Sequence, residues 1–284
     1  MLTATAFFTY PLSQSDFPPA RWYNTTMKKI TKTRASLGVL LIVVLATAAS
    51  LYSIFGSLQK SEAGPPLNAK ITRVVDGIVT AYLIELGKDN FALIDAGMDP
   101  QAKKIISVLK AKGKNADSVI AIFVTHAHPD HVAGIAKFKK AVVFASSAEV
   151  KLAAGTELFR SPASGVLGKR NSFPFQVTHA LDDEERVQVG NTFFYAFHIP
   201  GHTPGSVAYL VDGALILGDG ATVRSNGSMT APQWFFSDDP KVGERSLRQL
   251  ASKLESRKSE IEVVVTSHTG NITPEKFFTM ANPH

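Results

Sequence analysis

The chain has 284 residues, 45% hydrophobic and 19% charged, enough for one sizeable core but not for two full domains plus an anchor. Its formal charge of +6 is concentrated in residues 1–59, where five Lys or Arg face one acid; the +2 left for the remainder is too little for the basic stripe that nucleic-acid binding requires. The absence of cysteine excludes disulfide staples and thiolate ligands, so stability must come from the core and from any bound metal.

Residues 1–59 differ in kind from the rest. Lys28, Lys29, Lys32 and Arg34 precede an uncharged stretch that runs to Gln59 and contains the continuous apolar run Leu37 to Ala46. A positive region followed by a hydrophobic segment reads as a signal peptide, with Ala46-Thr47-Ala48 as a small-x-small cleavage site. It equally reads as a membrane anchor, because the uncharged stretch is long enough to span a hydrocarbon core of about 30 Å. In both cases the positive flank stays in the cytoplasm and the remainder is translocated, so the expected location is periplasmic, extracellular or membrane-anchored outside the cytoplasm. Met27-Lys28-Lys29 reads as an alternative true start, and the expected boundaries are a leader over 1–59 and a folded domain over 60–284.

Within that domain the patterning predicts strands at Ile71 to Val75, Val79 to Leu86 and Phe91 to Ile94. Asp99 then caps a helix from Pro100 to Lys112, with Pro at the first helical position. A strand at Val119 to Val124 is followed by helical sequence from His131 to Lys139, a strand at Ala141 to Ala145 and a helix over Ser147 to Ala154. Residues 155–175, rich in Gly and Pro, read as a loop suited to a mobile flap. His179 falls in a loop before the acidic run Asp182 to Glu185, a solvated turn. Further strands are predicted at Arg186 to Val189, Thr192 to Phe197, Ser206 to Val211, Ala214 to Leu217 and Ile261 to Thr266, with a helix from Pro240 to Ser256 capped by Asp238 or Asp239. Composition and spacing alone reach no further than mixed α/β.

Chemistry concentrates at the strand ends. His126-Ala127-His128-Pro129-Asp130-His131 follows the Val119 to Val124 strand, and imidazole with carboxylate is the donor mix that suits zinc and its first-row neighbours. Three later turns each add one candidate: His202 in Pro200 to Gly205, Asp219 in Gly218 to Gly220, and His268 in Ser267 to Gly270. Singly these are ordinary turns; in this order they form a specific pattern. His198, alternating with Phe197 and Ile199, reads as structural.

These motifs, with Phe91 to Gly97 upstream, resemble the metallo-β-lactamase superfamily from about Ile71 to His268. The resemblance implies a four-layer αβ/βα sandwich, preceded here by the N-terminal hydrophobic segment. It implies that His126, His128 and His202 hold one metal, that Asp130, His131 and His268 hold a second, that Asp219 bridges the two and that Asp95 supports the site from behind. Two Zn²⁺ are expected, with manganese or iron compatible with the same donors. The implied activity is hydrolysis of a carbonyl-type bond in a small molecule (thioester, lactone, ester or β-lactam) by a metal-bridging hydroxide that the catalytic Asp130 aims. Rivals are a mononuclear-iron sulfur dioxygenase, a phosphodiesterase or nuclease of the same superfamily, and a non-catalytic metal binder. Little chain follows His268, so the helical glutathione-binding domain of glyoxalase II-like thioesterases is not expected. Trp234, Phe235 and Phe236 lie where this family builds substrate walls, and three consecutive aromatics cannot all face one core.

Overall fold

The computed structural model describes Ser36, residues 38–47 and residues 66–281. The expected signal or anchor segment lies largely outside the described residues; residues 38–47 are helical, and among the described residues no helix is long and apolar enough to cross a membrane. The chain falls into two units, Met1–Gly56 and Ser57–His284. The second holds both large sheets.

Two six-stranded mixed sheets form its centre. The first runs in the order β1 (Ile71–Asp76), β2 (Val79–Gly87), β3 (Asn90–Ile94), β4 (Val119–Phe123), β5 (Val142–Ser146) and β6 (His179–Leu181). The second has the order β14-β13-β10-β9-β8-β7, from β7 (Arg186–Val189), β8 (Thr192–His198), β9 (Val207–Val211), β10 (Ala214–Ile216), β13 (Val263–Val265) and β14 (Asn271–Ile272). Between β10 and β13 the chain forms a small hairpin, β11 (Thr222–Val223) with β12 (Met229–Thr230). The helices are α1 (Lys103–Ala111), α2 (Pro129–Val132), α3 (Val150–Ala153), α4 (Ser164–Leu167), α5 (Pro240–Leu254) and α6 (Pro274–Ala281).

The period-2 alternation of a strand explains the layering. Along β2, Ala81 and Leu83 pack outward with Ile105 and Leu109 of α1, while Tyr82 and Ile84 turn into the space between the sheets. Along β9, Val207, Tyr209 and Val211 face that same space, and Ala208 and Leu210 pack with Leu247, Leu250 and Leu254 of α5. The result is the four-layer αβ/βα sandwich. Each fully buried apolar side chain of this kind contributes about 1.5–3 kcal/mol of transfer free energy. Phe123 stands at the middle of the inter-sheet layer, stacked on Phe144 at 4.5 Å and on Phe194 at 4.1 Å.

Several local expectations need correction. Helix α1 begins at Lys103 rather than Pro100, because Ala102 adopts a left-handed φ of 48° that interrupts the turn. Asp99 still satisfies the helix start, accepting the N–H groups of Gln101 at 2.9 Å and Lys103 at 3.2 Å. The helix expected from His131 starts at Pro129 and tightens into a 3₁₀ turn over Ala133–Lys137. The 155–175 loop contains α4. His179 is not a loop residue: it opens β6 opposite Phe144, and its Nε2 lies 2.8 Å from Glu185 Oε1. Trp234–Phe236 forms a 3₁₀ turn.

Candidate metal centre

The site lies at the carboxyl ends of strands from both sheets. Beyond β3 comes Asp95 and beyond β4 come Thr125 and His126; His128 is the N-cap of α2, whose single turn carries Asp130 and His131. The turns after β8, β10 and β13 supply His202, Asp219 and His268. Two buried tyrosines fasten these ends from the core: Tyr209 Oη donates to Val124 O at 2.8 Å and Tyr82 Oη to Thr266 O at 2.9 Å. Gly218, at a left-handed φ of 55°, brings the Asp219 turn against Thr125, whose Cβ would lie 2.7 Å from any added Cβ.

Donor atoms converge in three overlapping groups, each able to surround an ion: His126, His128 and His202; His126, His131 and Asp219; Asp130, His131 and His268. In the first, His202 Nε2 lies 3.1 Å from His126 Nε2 and 2.9 Å from His128 Nδ1. In the last, His268 Nε2 lies 3.3 Å from His131 Nε2 and 3.2 Å from Asp130 Oδ2. Asp219 stands between them, with Oδ2 3.2 Å from His268 Nε2 and 3.6 Å from His202 Nε2. Its Oδ1 is buried without a hydrogen bond among the described residues and lies 3.5 Å from His131 Nε2.

The proton inventory behind the rings fixes which nitrogens face inward. Asp95 Oδ2 accepts from His131 Nδ1 at 2.7 Å and from Thr125 Oγ1 at 2.8 Å. Having given its only proton to Asp95, Thr125 Oγ1 accepts from His126 Nδ1 at 3.0 Å. His268 Nδ1 donates to the carbonyl of Ile78 at 2.7 Å. Ser237 Oγ donates to Gln233 O at 2.6 Å and so accepts from His202 Nδ1 at 3.2 Å. His126 and His202 therefore carry a single proton on the outside and turn unprotonated Nε2 atoms inward, while His131 and His268 hold an outer proton and point Nε2 into the same space. Lone pairs facing each other at about 3 Å repel unless a cation lies among them. The donor set therefore fits a metal.

Electrostatics divide the site. Burial, with the neighbouring imidazoles, holds His126 well below its ordinary value; burial first and the surrounding histidines next hold His128 at about 3 and His202 at about 4. At His131 and His268 burial acts in the same direction but loses to carboxylates. Asp219, Asp130 and Asp95 hold His131 well above its ordinary value, and Asp219 with Asp130 brings His268 to about 10. Burial raises Asp130 and Asp219 less than these histidines lower them. This end of the site calls for positive charge, which a dication supplies in place of ring protons.

Asp95, expected to support the site from behind, hydrogen-bonds His131 and Thr125 from a left-handed φ of 59°. Trp234, Phe235 and Phe236 are joined to the centre through Ser237, and Trp234 is 59% exposed. His198 belongs to none of the metal-capable groups; its N–H donates to Asp183 Oδ1. Sequence reasoning missed Ser237, the Ile78 carbonyl and the buried Glu149, whose roles are set by contacts across the fold rather than by local pattern.

Comparison with known proteins follows the same lines. The profile of the metallo-beta-lactamase superfamily matches residues 74–268. A hydroxyacylglutathione hydrolase of Photobacterium profundum is 27% identical over 171 residues, 60% of this chain and 56% of that protein, so the chain spans little more than half the length of this relative. A probable metallo-hydrolase of Bacillus subtilis, YflN, is 27% identical over 230 residues, 70% of this chain and 84% of that protein. The solved structure of a subclass B3 metallo-beta-lactamase of Bradyrhizobium japonicum has the same fold, with a TM-score of 0.57 at 21% identity over 79% of this chain and 91% of that one. With its strand-end donors, its four layers and a profile match across most of its length, the chain belongs to the metallo-β-lactamase superfamily.

Proposed function

We propose that the protein is a dinuclear metal-dependent hydrolase of a carbonyl-type bond, acting on a thioester or ester with an apolar acyl part, with lactone and β-lactam as the neighbouring substrate classes. The observation that carries this reading is the convergence of seven nitrogen and oxygen donors from four turns, with Asp219 between two groups. His126, His128 and His202 would hold one ion, Asp130, His131 and His268 the other. Bound there, zinc or a similar ion would lower the pKa of a shared water from 15.7 towards about 7 and polarise the carbonyl oxygen.

The remaining work falls to the chain. Asp130, the more open of the two acids in the cluster, stays ionised beside His131 and His268. Its carboxylate accepts a hydrogen bond from the attacking water and aims it at the carbonyl carbon. Asp95 keeps His131 and, through Thr125, His126 in the tautomers that leave Nε2 free. Two exposed apolar residues belong to segments that hold ligands: Ile78, 67% exposed, whose own carbonyl accepts from His268, and Trp234, which lies just before Ser237, the partner of His202. An acyl chain lying on them would gain roughly 25 cal/mol for each Å² removed from water. The names of the hydroxyacylglutathione hydrolase relatives support the thioester class. The cations ahead of Leu37 to Ala46 support export, which fractionation of cells expressing the full chain tests.

The test is a panel of thioester, ester, lactone, β-lactam and phosphodiester substrates on metal-quantified protein. Two zinc ions per chain with carbonyl-bond hydrolysis is the expected result. One iron with oxygen consumption would replace it with the dioxygenase reading.

A further inference from the structure

Glu149, at the end of the 3₁₀ turn Ser147–Glu149 that leads into α3, is 0% exposed and lies behind the metal ligands. Its Oε1 accepts the N–H of Ala127 at 2.7 Å, the residue between His126 and His128. Its Oε2 accepts the hydroxyl of Thr203 at 3.0 Å, next to His202, and the Gly205 N–H in the same turn also donates to the carboxylate. Thr203 is itself held by Ser206, whose Oγ accepts the Thr203 N–H at 3.0 Å. Ser146 Oγ donates to Gly205 O at 2.8 Å. The fit leaves no room: a Cβ at Gly205 would lie 2.5 Å from Glu149 Oε2 and from Ser146 Oγ.

A carboxylate is costly to bury unless donors surround it, and here every identified partner is a donor. Burial raises Glu149 to about 7, against the pull of Ala127, Thr203 and Gly205. The three donors come from two turns 76 residues apart, the separation between His126 and His202 themselves. Both turns belong to the three-histidine group. We infer that Glu149 is a positioning residue that clamps these two turns into one preformed claw and thereby sets the metal affinity of the His126, His128 and His202 group. This rests on the metal-dependent reading above. The residue touches no ligand nitrogen; it acts through the backbone on either side of them.

The full chain is titrated with zinc against a chromogenic chelator in a His268→Ala background, which leaves the three-histidine group intact, and in a His128→Ala background, which leaves the other. Glu149→Gln should weaken zinc binding in the first background by about 10–100-fold, as loss of a ligand-orienting partner does, and leave the second within a factor of about three. Thr203→Val keeps the shape and removes one donor; it should give a smaller loss, on the order of tenfold at most, in the first background alone. It also provides the test if Glu149→Gln does not fold. Unchanged affinity in the first background, or equal losses in both, overturns the inference, since a residue that merely supports packing would loosen both groups. Wild-type protein that binds no zinc overturns the functional reading and this inference with it; wild type that binds two while both variants match it overturns this inference alone.

Discussion

The two halves of the centre solve opposite problems. In the three-histidine half, burial and mutual repulsion keep His128 at about 3 and His202 at about 4, so the rings are neutral donors at any ordinary pH. In the half built on Asp130, His131, His268 and Asp219, carboxylates bring His268 to about 10, and a metal must displace protons to enter. The contrast teaches that similar imidazoles, joined through one carboxylate at Asp95, are made ready-to-bind or proton-filled by the charge around them rather than by their own chemistry.

Asp219→Ala should break that contrast most severely. Without the carboxylate between the groups, two dications held there would no longer be screened from each other. Zinc content should fall from two towards one per chain and turnover by on the order of 10³-fold, several kcal/mol in the barrier. A variant that keeps two metals and a near-normal rate would show that Asp219 has another role.

Removing both ions should come next in size. Chelation should lower the melting temperature of the loaded protein by about 5–10 °C, the equivalent of ligand at about a hundred times its dissociation constant in a domain of this length. Calorimetry before and after verified metal removal measures it. An unchanged midpoint would mean that the strand ends hold together without metal.

Acid and alkali should then separate the halves in metal-free protein. Below about 6.5 the unfolded chain's histidines take up protons that His202 and His128, at about 4 and about 3, refuse, so stability falls as pH drops through that window. His268, at about 10, retains a proton that the unfolded chain releases near 6.5; its contribution is complete below 6.5 and disappears as pH rises to about 10. The melting temperature should therefore peak near neutrality and decline on both sides, by about 2–4 °C for each kcal/mol lost. Thermal melts from pH 4 to 10 check it, and a flat alkaline limb would contradict the assignment at His268.

The smallest effect concerns the rim. Trp234→Ala should reduce the preference for longer acyl chains by on the order of tenfold, about 1.5 kcal/mol, while leaving zinc content unchanged. Rates for esters or thioesters of increasing chain length decide it. A flat dependence in both proteins removes the aromatic wall.

Most of the scaffold and the donor cluster could be read from sequence for physical reasons. Strands β1 to β4 are apolar runs bounded by turn residues, and the ligand candidates sit where such runs meet Gly or Pro. What escaped was non-local or marginal. Strand β6 has three residues, two of them exposed, and exists because Phe144 lies opposite His179. Helix α6 is two turns long, and its burial rests on the tertiary partners of Phe277 and Phe278. Glu149 reads as a surface acid in Ser147-Ala148-Glu149, and nothing local reveals three donors brought from two distant turns. Pro100 at the expected first helical position misled because Ala102 takes a left-handed conformation that sequence does not signal.

The cluster draws on both halves of the chain: His131 and His268 meet across 137 residues and His126 and His202 across 76. Closing such loops is entropically slow, and the reward comes only when both sheets have docked. During synthesis, the group of Asp130, His131 and His268 cannot assemble until His268 has left the ribosome, whereas His126, His128 and His202 have all emerged well before it. Metal capture by the His268 group would thus mark the end of folding, and its rate in a refolding chain would become a clock for assembly of the whole sandwich.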